Sequence, residues 1–93
     1  MRTIERSSNF KRDYKREAKG QYRNTLDDSV SPVLAALAND QQLEPRYRDH
    51  DLSGDWAGYR ECHVKPDLLL IYRKSGDDLL RLARLGSHSE LFG

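Results

Sequence analysis

The sequence predicts an α+β fold of order β-α-α-β-β-β, with two N-terminal helices packed on one face of a twisted, mostly antiparallel sheet. Two patterns and one total point there. Between Ser8 and Leu37 apolar residues recur every three to four positions, the helical period. After Gly58 come three apolar runs of strand length, separated by the turn signals "KPD" and "KSGDD". At 93 residues the chain supports one core, so residues 1–93 are read as a single domain that buries about 60–65% of its unfolded surface.

Arg2–Ser7 has the character of a short first strand. "SSNFKRDYKREAKG" follows as a helix, with Ser8 as its cap and Gly20 ending it in the left-handed conformation. Phe10, Tyr14, Ala18 and Tyr22 make a narrow apolar stripe. Beside it, Lys11, Arg12, Lys15, Arg16, Lys19 and Arg23 fall within an arc of about 140°. One face of this helix packs, and its neighbour is a cationic ridge suited to docking RNA or an acidic partner.

Leu26, Val30, Val33, Leu34 and Leu37 mark a second helix. Pro32 fits its first turn if Ser29 is the cap, and must kink it if the helix begins at Thr25. Asn39–Gly58 reads as a long loop, a length more typical of functional loops than of plain connections. The strands Tyr59–Val64, Leu68–Arg73 and Leu79–Leu85 complete the order, with "LLLIY" as the central one.

Composition narrows the class. A third of the residues are charged and 37% are hydrophobic, which suits a small globular domain and excludes membrane and disordered classes. The longest apolar run, Leu68–Tyr72, is far too short to span a bilayer. The N-terminal segment has no apolar core of a secretory signal, so the protein is expected in the cytoplasm and not at a membrane. The lone cysteine, Cys62, fits a reducing compartment and a buried strand position. Net charge is only +1, but residues 1–23 hold eight basic and three acidic groups, a local excess that points to a polyanionic partner.

The chemistry-bearing residues cluster at the turns. In "ECHVKPDLLLIY", His63 ends one strand and Asp67 begins the next, on either side of a Lys-Pro turn. Antiparallel order brings the end of the last strand, followed by His88, to the same rim, and the long loop can deliver His50. Imidazole titrates near neutrality and serves as both acid and base. Two or more at one rim suit a reaction that removes one proton and supplies another. Cleavage of RNA by its own 2′-hydroxyl is such a reaction, and it needs no metal or cofactor because the nucleophile belongs to the substrate. Arg84 is placed to offset charge on the phosphate, and Trp56 and Phe92 to stack on unpaired bases. Each has a plainer role available. Asp67 is a good turn residue, Trp56 can lid the core, and Phe92 can anchor the C-terminus. A His/His/Asp metal site from the same residues follows no ligand motif, and none is assigned.

The pattern H-x-L-x-G-x-W-x-G-Y-R-x-x-H-V-x-P-D over residues 50–67, with R-x-G-x-H-x-x-L-F-G over 84–93, resembles the YafQ family of toxins in the RelE superfamily. The resemblance implies a RelE-like fold and the toxin of a type II toxin–antitoxin pair. Its expected activity is that of an mRNA interferase cutting translated mRNA in the ribosomal A site. It implies acid–base roles for His50, His63, Asp67 and His88, with His88 the favoured direct proton donor or acceptor. Trp56 and Phe92 are implied to hold substrate, and Arg60, inside the motif, is grouped with them. The implied partners are the 70S ribosome, mRNA and a cognate DinJ-like antitoxin, a ribbon-helix-helix dimer. The alternative is a non-catalytic module that uses the same scaffold only to bind RNA or a partner.

Overall fold

The run Leu68–Tyr72 organises the molecule because both its faces are buried. In the computed structural model, which describes residues 1–93, none of these five side chains is more than 2% exposed. Leu68, Leu70 and Tyr72 join the larger core beneath the helices. Leu69 and Ile71 face the other way, into a smaller core with Ala83 and Leu91. A strand covered on both sides reads as a continuous apolar run instead of alternating. Burying each Leu or Ile contributes about 1.5–3 kcal/mol.

The elements are β1 (Thr3–Arg6), α1 (Ser8–Ala18), α2 (Leu26–Ala38), β2 (His50–Asp51), β3 (Arg60–Lys65), β4 (Leu68–Ser75), β5 (Leu79–Gly86) and α3 (His88–Phe92). The sheet order is β1-β5-β4-β3-β2. β1 runs parallel to β5 and the other pairs are antiparallel. Phe10 of α1 and Leu26, Val30, Val33 and Leu37 of α2 fill the larger core. No helix is long and apolar enough to cross a membrane.

Several expectations are corrected. Ser7, not Ser8, caps α1, its Oγ accepting the Phe10 N–H at 3.0 Å. Gly20 is not left-handed: Lys19 ends the helix in right-handed geometry, and Lys19, Gly20, Arg23 and Thr25 each bond three residues back, so the chain leaves in tight turns. The second helix begins after Thr25, which leaves Pro32 in its interior. There the proline is exposed, and the helix forgoes the one bond its nitrogen cannot donate. Asp27 and Asp28 in the first turn favour the positive end of the helix.

The stretch 39–58 is not a plain loop. It carries two 3₁₀ turns, Pro45–Tyr47 and Gly54–Trp56, and the edge strand β2, which makes the sheet five-stranded. Two residues are too few to show a period of two, so β2 left no pattern in the sequence. The short helix α3 was also unforeseen.

α1 does a second job. β1 pairs only with residues 79–82 of β5, leaving the outer edge of β5 unpaired beyond Leu82. Side chains of the α1 region take over. Ser7 Oγ donates to the Ala83 carbonyl at 2.8 Å, Asp13 Oδ2 accepts the Leu85 N–H at 3.0 Å, and Arg16 Nη2 donates to the Leu85 carbonyl at 2.9 Å. An open strand edge is thereby closed by a helix. It holds β5 fixed just before the turn into α3.

Candidate active site

Residues directly opposite each other on neighbouring strands project from the same face. The register therefore sets one row, His50–Glu61–Ile71–Arg84, beside another, His63–Leu69–Gly86. Both lie on the face away from α1 and α2, as Leu69 and Ile71 in the smaller core show. The Arg84 side chain, beside a register shift in the β4–β5 pairing, nevertheless reaches back to Asp13 of α1.

His50 and His63 are oriented alike. Each turns Nδ1 to a main-chain carbonyl, His50 to Arg48 at 2.6 Å and His63 to Pro66 at 3.3 Å. A carbonyl only accepts, so Nδ1 is the donor in each of these contacts and Nε2 points elsewhere. Both Nε2 atoms converge on one oxygen of Glu61: Oε1 lies 3.6 Å from His50 and 3.7 Å from His63. Glu61 is buried while the imidazoles reach solvent. The carboxylate thus sits beneath and between two proton-exchanging groups.

Glu61 is not among the residues that the sequence singles out at this rim. Its signal is the spacing: two residues apart on a strand, Glu61 and His63 share a face.

Asp67 and His88 meet through the main chain. Asp67 Oδ1 accepts the His88 backbone N–H at 3.4 Å, at the start of α3. The His88 imidazole stands against the Phe92 ring, with centroids 5.1 Å apart. A capping box fixes this helix: Glu90 N–H donates to Ser87 Oγ at 3.2 Å, and Ser87 N–H to Glu90 Oε1 at 2.8 Å. The Ser87 N–H foremost, with the Arg16 charge adding to it, holds the Glu90 carboxyl below its ordinary range. His63 and Gly86 flank Leu69 on the second row, so two strand spacings, about 10 Å, separate His63 from the root of α3, and His50 lies one strand further. The four residues therefore form two groups. His50 and His63 are joined by Glu61, and His88 is tied to Asp67 by its backbone.

The remaining candidates have internal partners. Arg84 is gripped by Asp13, Nε to Oδ2 at 2.7 Å and Nη2 to Oδ1 at 3.2 Å. Arg60 pairs with Asp49 at 3.2 Å and with Asp51, and the Tyr72 hydroxyl donates to the same Asp49. Burial first, then this bond to Asp49, pushes the Tyr72 phenol up. Trp56 is half-buried, edge-on to Tyr59 with centroids 5.3 Å apart, and packs on the smaller core. Phe92 is exposed.

Of the cationic ridge, Arg16 is engaged inward, within 3.0 Å of Asp13, Glu17 and Glu90. Arg12 bonds Asn9. Lys11, Lys15, Lys19 and Arg23 are exposed and make no ion pair. Cys62 is fully buried; burial first, then the charges of Asp49 and Glu61, push its thiol up, so it is no nucleophile.

This arrangement offers a pair of imidazoles whose Nε2 atoms face one buried carboxylate and, rooted two strands from His63, a third imidazole beside an aromatic ring. The chain is similar to known proteins over its whole length. The family described as the bacterial toxin of type II toxin–antitoxin system, YafQ, matches residues 2–93. The mRNA interferase toxin YafQ of Escherichia coli strain K12 is 40% identical over 94 aligned positions, which cover 100% of this chain and 98% of the relative. The putative toxin YafQ of Haemophilus influenzae is 36% identical, over 90% of this chain and 85% of its own. Among solved structures, YafQ in the E. coli DinJ–YafQ complex superposes with a TM-score of 0.84 at 39% identity over 100% of both chains. A metal-bound toxin from Helicobacter pylori gives 0.88 at 46%, over 99% of this chain and 100% of its own.

Proposed function

Because the chain belongs to the YafQ family of bacterial type II toxins, we propose that it is an endoribonuclease that cuts translated mRNA in the ribosomal A site. The observation that carries this is the convergence of the His50 and His63 Nε2 atoms on Glu61, with the root of the His88 helix two strands from His63. The 2′-hydroxyl of the substrate attacks the adjacent phosphorus, forming a new P–O bond while the 5′-oxygen leaves. The His50–His63 pair on one side and His88 on the other divide the two proton transfers. One removes the hydroxyl proton and the other supplies a proton to the departing oxygen. Arg84, on the same sheet row as Glu61 but held by Asp13, is the cation proposed to turn toward the phosphate when substrate binds. Asp67 sets where the His88 imidazole stands by holding its backbone. Phe92 and Trp56 supply aromatic surface for bases.

The partner proposed for restraint is a DinJ-like antitoxin, supported by the similarity over the whole chain to YafQ solved with DinJ. The ribosome and its mRNA are the proposed targets, in the cytoplasm.

The test is primer-extension mapping of mRNA after inducing the chain without antitoxin. Discrete, codon-spaced cuts are expected from the wild type. His88→Ala, at an exposed position, should fold normally and lose about 10²- to 10⁴-fold of the cutting rate. Undiminished cutting by a folded His88→Ala removes His88 from the mechanism. A wild type that leaves no cuts supports a binding module instead.

A further inference from the structure

Beside His63, on the side of α2, lies a cleft of about 630 Å³ that the proposed chemistry does not use. The first half of α2 forms one wall, the turn Pro45–Arg48 another, and the end of β3 the third. Its volume is within the range of small-molecule sites.

The charges are unusual in how they are held. Arg46, Arg48 and Lys65 line the cleft, against one carboxylate, Asp28. Arg48 and Lys65 make no ion pair within the protein, and Arg46 meets only the exposed Glu44, at 3.4 Å. Two of these cations rest on aromatic rings. The Arg46 guanidinium lies 4.7 Å from the centroid of Tyr47, to whose hydroxyl it also donates, and Lys65 Nζ lies 5.2 Å from that of Tyr22. An aromatic face positions a cation without neutralising it. The cleft therefore presents a net excess of oriented positive charge next to an imidazole, with Arg48 and Lys65 free of ion pairs.

It is also coupled to the histidine pair. Arg48 adopts the left-handed conformation, φ 49° and ψ 42°, uncommon for a residue with a side chain. That conformation accompanies the placement of its carbonyl against His50 Nδ1.

We infer that this cleft is the subsite for a nucleotide of the RNA substrate flanking the scissile phosphate. Arg48 and Lys65 bind the flanking phosphate, and the stacked Arg46–Tyr47 pair offers a flat cationic platform for the base. Asp28 repels phosphate, so the backbone passes on the β3 side and the base points toward α2. The inference rests on the endoribonuclease reading and names the path of the strand through that site. An acidic protein segment is disfavoured because the cleft opens onto His63, where a phosphodiester is to be cut.

The test uses the full chain, purified free of its antitoxin, and a fluorescent six-nucleotide single-stranded RNA whose 2′-hydroxyls are all methylated, so it cannot be cut. Arg48→Gln with Lys65→Gln should raise Kd at least about tenfold. It should also flatten the slope of log affinity against log salt by about 1.4, the value for two lost phosphate contacts on a single strand. In a translating extract the same variant should lose kcat/KM chiefly through KM. Unchanged affinity and slope in a variant of normal thermal stability overturn the inference. So does loss of antitoxin capture with RNA binding intact, which would assign the cleft to the partner. If the wild type makes no cuts in the extract, the endoribonuclease reading fails, while the salt slope still reports on the cleft.

Discussion

Asp13 holds Arg84 through both of its carboxylate oxygens, from a helix 71 residues earlier in the chain. The same carboxylate accepts the Leu85 N–H and meets Arg16 at 3.0 Å. Arg16 in turn bonds the Leu85 carbonyl and reaches Glu90 of α3 at 2.9 Å. One buried acid on α1 thereby sets the end of β5, and through Arg16 that setting reaches the helix that carries His88. The basic face of α1 is in part a structural joint.

Asp13→Asn should accordingly lower stability by about 1.5–3 kcal/mol, the range for hydrogen bonds to charged groups. Urea unfolding with an unchanged slope would measure it. The pH dependence has a definite sign. Burial pushes the Asp13 carboxyl up, but the Arg84 bonds, the Leu85 N–H and the charges of Arg84 and Arg16 pull it, on balance, below its ordinary 3.8. A carboxyl depressed in the folded state contributes fully above its unfolded value and is lost as pH falls through the folded one. The wild type should lose this stability below about pH 4, and the Asn variant should lack that portion of the acid response.

Glu61→Gln keeps the shape of the buried side chain and removes its charge. Because both Nε2 atoms face Glu61 Oε1, kcat should fall by about 100-fold, the low end of what a positioned acid or base contributes. The pH–rate profile should change shape as well, which a merely structural residue would not cause. An unaltered profile with unaltered kcat would leave Glu61 as packing only.

α3 is five residues long and cannot persist alone. Ser87→Ala removes the side-chain half of its capping box, at a cost of about 1 kcal/mol, felt as local fraying because the helix is terminal. Amide exchange at residues 90–93 should quicken while the sheet is unaffected, and cutting should weaken because His88 loses its fixed place. Asp67→Ala should act on the same segment by releasing the His88 N–H.

What could be read in the sequence was whatever repeats or sits in a local signal. The stripe of α2, the apolar run Leu68–Tyr72 and the two hairpin turns each declare themselves locally. α1 departs from its stripe: Ala18 is exposed, and α1 buries Asp13 and Glu17 beside Phe10. β2 did not, because two residues carry no period, and α3 was announced only by Ser87 and Glu90 at capping-box spacing. Glu61 was legible in principle from its parity with His63, but an acid on a strand is ordinarily solvated. The engagement of Arg16 and Arg84 was not legible at all. Which cation meets Asp13 depends on the edge of β5 lying beside α1, a tertiary fact with no local trace.

Gly86 is where α1, β5 and α3 meet, and it offers the sharpest test of that junction. A Cβ there would stand 2.8 Å from Arg16 Nη2 and 3.2 Å from both Glu90 Oε1 and Leu91 Cδ2. Arg16 is the end of a flexible side chain, but this one is tethered to Leu85, Asp13, Glu17 and Glu90, so moving it breaks a network. Gly86→Ala should cost about 1–3 kcal/mol, the range for overpacking. If displacement of Arg16 is the main cause, the same substitution in an Arg16→Ala background should cost clearly less. A coupling energy of at least about 0.5 kcal/mol in the double-mutant cycle is expected for residues in contact. Simple additivity would mean that Leu91 and Glu90 alone take the strain, and that α1 does not reach the root of α3 through Arg16.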